Sequence, residues 1–195
     1  MLESKTLWAK HALTSDGWQQ DVRIDIDNRG VIASVKAGQP VQGEQYALLL
    51  PAMANLHSHA FQRAMAGMTE TRGEDPQDSF WTWRKLMYQF LDCLTPEDAE
   101  AIAAFGQVEM LESGYTSVGE FHYLHHQANG QQYDNCAEMS QRIIAASVQS
   151  GIGLTLLPVM YEQGGCDGRA LAGGQRRFGN RFDTFAELYL SLIHI

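Results

Sequence analysis

The sequence predicts an α/β fold in which a small antiparallel sheet precedes part of an α/β barrel. Three observations support this prediction. Short alternating segments fill residues 5–40, and after residue 46 apolar strand-like runs alternate with helix-like periods. Such alternation is typical of parallel strands joined by helices. Two of the strand-like runs end in polar, histidine-rich residues, as barrel strands do where they carry functional groups.

The N-terminal segment, residues 1–45, is predicted to form the small sheet. Alternating polar and apolar residues at 7–10 and 22–27 indicate two strands, and residues 31–35 indicate a third. The intervening residues 28–30 contain Asn and Gly, which favour a tight turn.

The barrel segment, residues 46–189, begins with an apolar run at 46–50 that we predict to be a buried strand. A helix is predicted to start at Thr95, whose side chain can cap it, with Pro96 in its first turn and Gly114 at its end. Its apolar face is predicted to consist of Ile102, Phe105, Val108, Met110 and Leu111.

Further strands are predicted at 115–121 and 152–160, with a helix at 137–149 between them. A fourth unit begins near Phe182. Because a (β/α)₈ barrel takes about 250 residues, we expect this chain to contain an incomplete TIM-like barrel.

An aromatic helical stripe lies within residues 60–94. Packing of this stripe on the core is the favoured interpretation, and a lid or interface over a site is the alternative. Arg84 lies inside the stripe, so a packed helix could carry its guanidinium to a pocket. The stripe consists of Phe80, Trp81, Trp83, Leu86, Met87, Phe90 and Leu91.

Composition and charge argue against two classes of partner. The 195 residues carry a formal net charge of −9 and no basic stripe, which argues against nucleic acid. No apolar stretch reaches the roughly 20 residues that span a bilayer. The N-terminus has no hydrophobic signal segment, and the three cysteines are widely spaced, so we expect a cytoplasmic protein with reduced thiols.

His57-Ser58-His59 is the most informative motif. Histidines two apart on an extended backbone point to the same face. Two neutral imidazoles placed in this way can hold one metal ion. A lone motif of this kind is usually a pair of surface histidines, but here polar Gln62 and Arg63 follow, and a second histidine cluster ends another strand at 121–126.

Four segments carry a resemblance to a known family: NLHSHAFQRAMAG (55–67), DSFWTWRKLMY (78–88), VEMLESGYTSVGEFHYLHH (108–126) and GLTLLPVMYEQGG (153–165). With them the chain resembles the formimidoylglutamate deiminases of the amidohydrolase superfamily. His-x-His alone indicates the superfamily, whereas the DSFWTWR and FHYLHH blocks are more specific. The turn before the motif departs from the family, with alanine at 52 and 54 in place of the common glycine and proline.

The resemblance implies a metal-dependent hydrolase with a (β/α)₈ barrel beside a small β-sandwich. It implies one zinc held by His57 and His59, together with a third histidine and an aspartate from later strands. Iron or manganese would accept similar ligands. The implied reaction is hydrolysis of N-formimino-L-glutamate to N-formyl-L-glutamate and ammonia, in histidine degradation. The proton-shuttling catalytic residues are expected beyond residue 195.

The resemblance also implies that Gln62, Arg84 and Tyr123 contact this small anionic substrate. The substrate has two carboxylates, and the planar guanidinium of Arg84 could bind one of them. Gln62 and Tyr123 offer neutral hydrogen bonds. For each residue the alternative is a satisfied structural polar group. The three histidines of the second cluster are predicted to be structural: His122, His125 and His126. A homodimer is a further expectation.

The last six residues, 190–195, are predicted to depart from the helix begun at 184–188. They match what the end of a transposase sequencing adapter would encode, so we interpret them as an artefact and exclude His194 from any metal site.

Three hypotheses follow for the chain. It is a truncated formimidoylglutamate deiminase, inactive alone; or a related deaminase of another amidine, guanidine or nucleobase; or a non-catalytic fragment that binds metal weakly or mediates an interaction.

Overall fold

The computed structural model describes residues 2–69 and 80–193, apart from the side chain of Trp81. It divides into two compact units, Met1–Ala52 and Met53–Ile195. Within the described residues, no helix combines the length and apolar character needed to cross a membrane. The three cysteines are free, as the sequence predicts.

The first unit is a single mixed sheet of four strands. They are β1 (Lys5–Thr14), β2 (Gly17–Ile26), β3 (Ile32–Lys36) and β4 (Glu44–Leu49), in the order β3-β2-β1-β4. The pairs β1–β2 and β2–β3 are antiparallel, which confirms the predicted sheet, whereas β4 runs parallel to β1. A second layer that would make a β-sandwich is not among the described residues of this unit.

The prediction of a buried strand at 46–50 is wrong. This run forms most of β4, which among the described residues is an edge strand paired with β1 alone. Its side chains at Leu48 and Leu50 are 50% and 56% exposed. The strand that leads into the histidines is the next one, β5 (Met53–Ser58). The two compact units meet between Ala52 and Met53, at the start of this strand.

The second unit contains a parallel sheet with helices between its strands. Its strands are β5, β6 (Tyr115–His122) and β7 (Gly153–Pro158), in chain order. Its helices are α1 (Phe80–Leu91), α2 (Pro96–Glu112), α3 (Glu138–Ser150) and α4 (Phe182–Leu192). Short 3₁₀ helices lie at Ala60–Met65 and Gly173–Arg177. The predicted parallel β-α-β order is therefore present.

The ends of α2 are where the sequence predicts them. The Thr95 hydroxyl accepts a hydrogen bond from the Asp98 amide at 3.1 Å, and the Asp98 carboxylate accepts one from the Thr95 amide at 3.0 Å. This reciprocal pair satisfies two amides that have no partner inside the helix. The helix ends before Gly114, whose φ of 88° suits a residue without a side chain.

The buried face of α2 differs from the predicted one, since Phe105 and Val108 are 57% and 42% exposed. Ala103 instead packs with Ile143 and Ala146 of α3. Of the predicted face, Ile102 is partly buried and packs against the core of the second unit. The buried face of α2 consists of Ala99, Ala103 and Gln107.

Helix α1 packs on the core of the second unit through Trp83, Met87, Phe90 and Leu91 of the aromatic stripe, as the favoured interpretation predicts, whereas Phe80 is 62% exposed. Residues 70–79 of the segment that contains it lie outside the described residues. Met87 and Leu91 are buried, together with Phe61, Leu124 and Phe178 from other elements.

A fully buried arginine fixes the end of α1. Arg177 donates through Nη1 to the carbonyls of Leu91 and Leu94 (3.0 Å for Leu94), and through Nε to the carbonyl of His126 at 2.9 Å. It therefore ties the C-terminal end of α1 to the segment that follows β6. Desolvation by burial lowers the pKa of this guanidinium.

Helix α4 continues through Leu192, so the predicted departure from helix at residue 190 is wrong. Leucine is a good helix former, and two leucines lie in this last turn. His194 and Ile195 lie outside the described residues. The proposed adapter origin of this tail stays a prediction.

Candidate metal and substrate site

Two imidazoles converge at the C-terminal end of β5. The Nε2 atoms of His57 and His59 lie 3.0 Å apart. Two nitrogens bound to one tetrahedral zinc, each at about 2.0–2.1 Å, would lie roughly 3.3 Å apart. The two lone pairs are therefore placed where one divalent ion could accept both.

Strand β6 orients the His59 ring. Its Nδ1 lies 2.9 Å from the carbonyl oxygen of Phe121. A carbonyl only accepts, so Nδ1 carries the proton and Nε2 presents its lone pair. Hydrogen bonds of this kind fix the tautomer of metal-binding histidines.

Contacts with Phe121 and Asn55 accompany His57. Its ring stacks on the Phe121 ring, with the centroids 4.3 Å apart and the planes at 23°. The backbone amide of His57 donates to the side chain of Asn55 at 3.2 Å.

Glu120 accepts hydrogen bonds from both neighbours of His59, from the backbone amide of Ala60 and from the side chain of Ser58. It is only 3% exposed, and its Oε1 accepts from the Ala60 amide at 2.7 Å. Desolvation by burial raises the pKa of Glu120, while hydrogen bonds from Ala60 and Ser58 act against that increase. Neither Glu120 nor Phe121 was a predicted site residue. The sequence feature that could have identified them is their position at the end of the predicted strand that lies parallel to β5.

Gln62 and Tyr123 lie together beside His59. The Gln62 amide donates to the Tyr123 hydroxyl at 2.9 Å, and the Tyr123 ring packs edge-on to the His59 ring at 4.9 Å. Burial is the main cause that raises the pKa of Tyr123 to about 12. The phenol therefore stays protonated at neutral pH and keeps a proton to donate to a ligand.

Arg84 lies on α1 and lines a different cavity. Its Nε donates to the Tyr88 hydroxyl at 3.0 Å, and its guanidinium lies 5.3 Å from the centroid of the Tyr88 ring. This cavity of about 410 Å³ also contains Lys85 and Arg169. His59 lines another cavity, of about 340 Å³. Arg84 and His59 thus line different cavities, and the substrate contact of Arg84 stays a prediction.

The remaining histidines of the second cluster are buried. His125 Nε2 and His126 Nε2 lie 3.1 and 2.7 Å from the carbonyl oxygens of Val159 and Gly179. Desolvation lowers the pKa of all three, to about 4 for His125 and well below the ordinary value for His122. These neutral, buried rings are consistent with the predicted structural role.

The residues present fit part of a zinc-type site. In the portions 2–69 and 80–193, no group of three or more His, Cys, Asp or Glu side chains is arranged to hold a metal. His57 and His59 thus offer two nitrogen ligands of the kind that divalent metals accept. Their assignment as ligands stays a prediction.

Two family models match the chain. Residues 4–46 match "Formimidoylglutamate deiminase HutF, N-terminal domain", and residues 48–173 match "Amidohydrolase family". The formimidoylglutamate deiminase of Pseudomonas aeruginosa is 48% identical over 184 residues, which are 93% of this chain and 40% of that protein. The chain therefore spans about two fifths of this curated relative.

Solved structures show the same fold. The crystal structure of an amidohydrolase from Brucella melitensis is 48% identical, with a TM-score of 0.92 over 97% of this chain and 42% of that one. A zinc complex of the atrazine chlorohydrolase TrzN from Arthrobacter aurescens has a TM-score of 0.70 over the same shares, at 18% identity, and supports the fold alone. Because one family model covers more than half of its residues, the chain belongs to the amidohydrolase family.

Proposed function

We propose that this chain supplies the N-terminal part of a formimidoylglutamate deiminase, which hydrolyses N-formimino-L-glutamate to N-formyl-L-glutamate and ammonia. The observation that carries the proposal is the pair of converging Nε2 atoms at the end of β5. The 48% identical relative named for this activity supports the choice of substrate.

The proposed architecture is an incomplete (β/α)₈ barrel over residues 46–189, preceded by part of a small β-sandwich over residues 1–45. The three adjacent parallel strands and the helices that connect them support the barrel. The four-stranded sheet would be one layer of the sandwich.

His57 and His59 would hold the metal, which we propose to be one zinc. A divalent metal there would supply Lewis acidity and a water-derived nucleophile at neutral pH. The Phe121 carbonyl favours the His59 tautomer whose Nε2 would be available to bind the metal. Further ligands and the groups that move protons would come from later strands.

Gln62, Tyr123 and Arg84 are proposed to bind the substrate. The phenol of Tyr123 accepts from Gln62 and keeps its own proton, so it can donate to a substrate oxygen or nitrogen beside His59. Arg84 would bind a substrate carboxylate, in line with the cationic side chains that share its cavity. Movement of α1 or of the Arg84 side chain would have to bring it to the same ligand.

The proposal extends to the partners and the location of the protein. The net charge of −9 favours a small ligand over nucleic acid. We propose a cytoplasmic enzyme that does not bind membranes and assembles as a homodimer.

A hybrid enzyme tests the proposed activity. Residues 1–189 would be fused to the remaining part of the Pseudomonas aeruginosa relative, and ammonia release would be measured with N-formimino-L-glutamate, other amidines, guanidines and nucleobases. The proposal expects a preference for the first substrate. His57→Ala and His59→Ala should each abolish turnover, whereas His11→Ala, an exposed histidine of β1, should not change it.

The outcomes separate the three hypotheses. Preference for another amidine or for a nucleobase would favour a related deaminase. A folded hybrid with no turnover on any substrate would favour a non-catalytic role for this chain. Undiminished turnover in both histidine variants would contradict the proposed metal site.

A further inference from the structure

One aromatic residue touches both histidines of the proposed metal pair. The Phe121 carbonyl oxygen lies 2.9 Å from His59 Nδ1, and the Phe121 ring stacks on the His57 ring at 4.3 Å. The two contacts use different parts of the same residue. Its main chain orients one imidazole and its side chain orients the other.

The two histidines depend on these contacts to different degrees. His59 is held by a hydrogen bond that defines both its tautomer and its ring orientation. His57 is an exposed residue, and the contact that its ring makes with His59 is between the two Nε2 atoms, 3.0 Å apart. One contact between two side chains restrains an exposed imidazole less than a hydrogen bond to a backbone carbonyl does, so rotamers that point Nε2 away from His59 remain accessible.

Stacking on Phe121 reduces that freedom. An offset-stacked aromatic pair is stabilised beyond the apolar area that it buries. The interaction holds the His57 ring in the orientation in which its Nε2 lies 3.0 Å from that of His59. A metal would then meet two ligands already in place, without the cost of ordering one of them.

We propose that Phe121 is a positioning residue for the metal pair, and that its ring preorganises His57. This inference rests on the proposed function, since it takes His57 and His59 as metal ligands. It extends that function by assigning part of the metal affinity to a side chain that binds neither metal nor substrate.

Zinc binding by the full 195-residue chain tests the inference without any need for turnover. Affinity would be measured by competition with a chromophoric chelator for the parent chain and for Phe121→Leu, Phe121→Tyr and His57→Ala. Residues that orient metal ligands typically contribute 10–100-fold to affinity. We expect Phe121→Leu to weaken zinc binding about tenfold. Phe121→Tyr keeps the ring and should stay within about twofold of the parent.

A matched control and a metal-free measurement guard against general damage to the fold. Phe105→Leu makes the same change on an exposed face of α2 and should leave zinc affinity unchanged. In the metal-free chain, NMR should show ring-current-shifted His57 ring protons. Those shifts should be lost in Phe121→Leu and kept in Phe121→Tyr, and circular dichroism should match among all variants.

The results distinguish the inference from the function on which it rests. If His57→Ala weakens zinc binding but Phe121→Leu binds like the parent chain, the inference is wrong and the metal pair stands. If His57→Ala binds zinc like the parent, then His57 is not a metal ligand, and the inference about Phe121 is wrong as well. Equal losses in Phe121→Leu and Phe121→Tyr would also overturn the role of the ring.

Discussion

Acid should destabilise the second unit through its buried histidines. His125 has a pKa of about 4, compared with 6.5 for an ordinary imidazole, mainly because burial disfavours the charged ring. The folded chain therefore binds fewer protons at this residue than the unfolded chain. The contribution of neutral His125 to the free energy of unfolding is fully present above pH 6.5 and is lost as the pH falls toward 4.

The magnitude follows from the two pKa values. At pH 5 the unfolded imidazole is almost fully protonated, while His125 in the folded chain remains neutral. Linkage then lowers the free energy of unfolding by about 2 kcal/mol between pH 8 and pH 5. The depressed pKa values of His122 and His126 act in the same direction.

Urea unfolding at pH 8 and pH 5 measures this effect. Every described helix lies in the second unit, so circular dichroism at 222 nm reports on that unit. His125→Gln keeps a donor for the Val159 carbonyl but cannot titrate, so its loss between the two pH values should be smaller by about 2 kcal/mol. The exposed His11→Gln serves as the matched control. Identical pH dependence in His125→Gln and the parent chain would refute the reasoning.

Two further predictions concern stability at neutral pH, measured by the same urea unfolding. Arg177→Met leaves three buried carbonyls without their donor and should cost about 3 kcal/mol or more. Arg177→Lys should recover only part of this loss, because an ammonium cannot match the planar geometry of the guanidinium. A Met variant as stable as the parent would show that the hydrogen bonds from Arg177 to these carbonyls do not stabilise the fold. Thr95→Ala removes the α2 cap and should cost about 1 kcal/mol, whereas Thr95→Ser should stay near the parent. Equal stability of the Ala and Ser variants would argue against the cap.

Local chemistry made the ends of elements predictable. The start of α2 follows from Thr95, Pro96 and Asp98, whose side chains and ring act within one helical turn. The convergence of His57 and His59 likewise follows from a two-residue spacing on extended backbone. Both features depend on residues within four positions of one another, so a short stretch of sequence is enough to predict them.

The sequence did not predict in the same way which strands pair with each other or which helix faces pack together. The apolar run at 46–50 suits a buried strand, yet it became an edge strand because β1 was its available neighbour. The buried face of α2 was only partly predicted, because the contact with α3 uses Ala103 and leaves Phe105 exposed. The role of Phe121 depends on the alignment of β6 beside β5, which the sequence of neither strand reveals alone.

The order of the supporting residues along the chain has a consequence for biosynthesis. The side chains and carbonyl described around His57 and His59 all lie between Asn55 and Tyr123. Chains generally fold in the order of their synthesis, N-terminal parts first. Every group that shapes the histidine pair is therefore synthesised before β7, and the order of synthesis lets β5 and β6 pair before the rest of the second unit is complete.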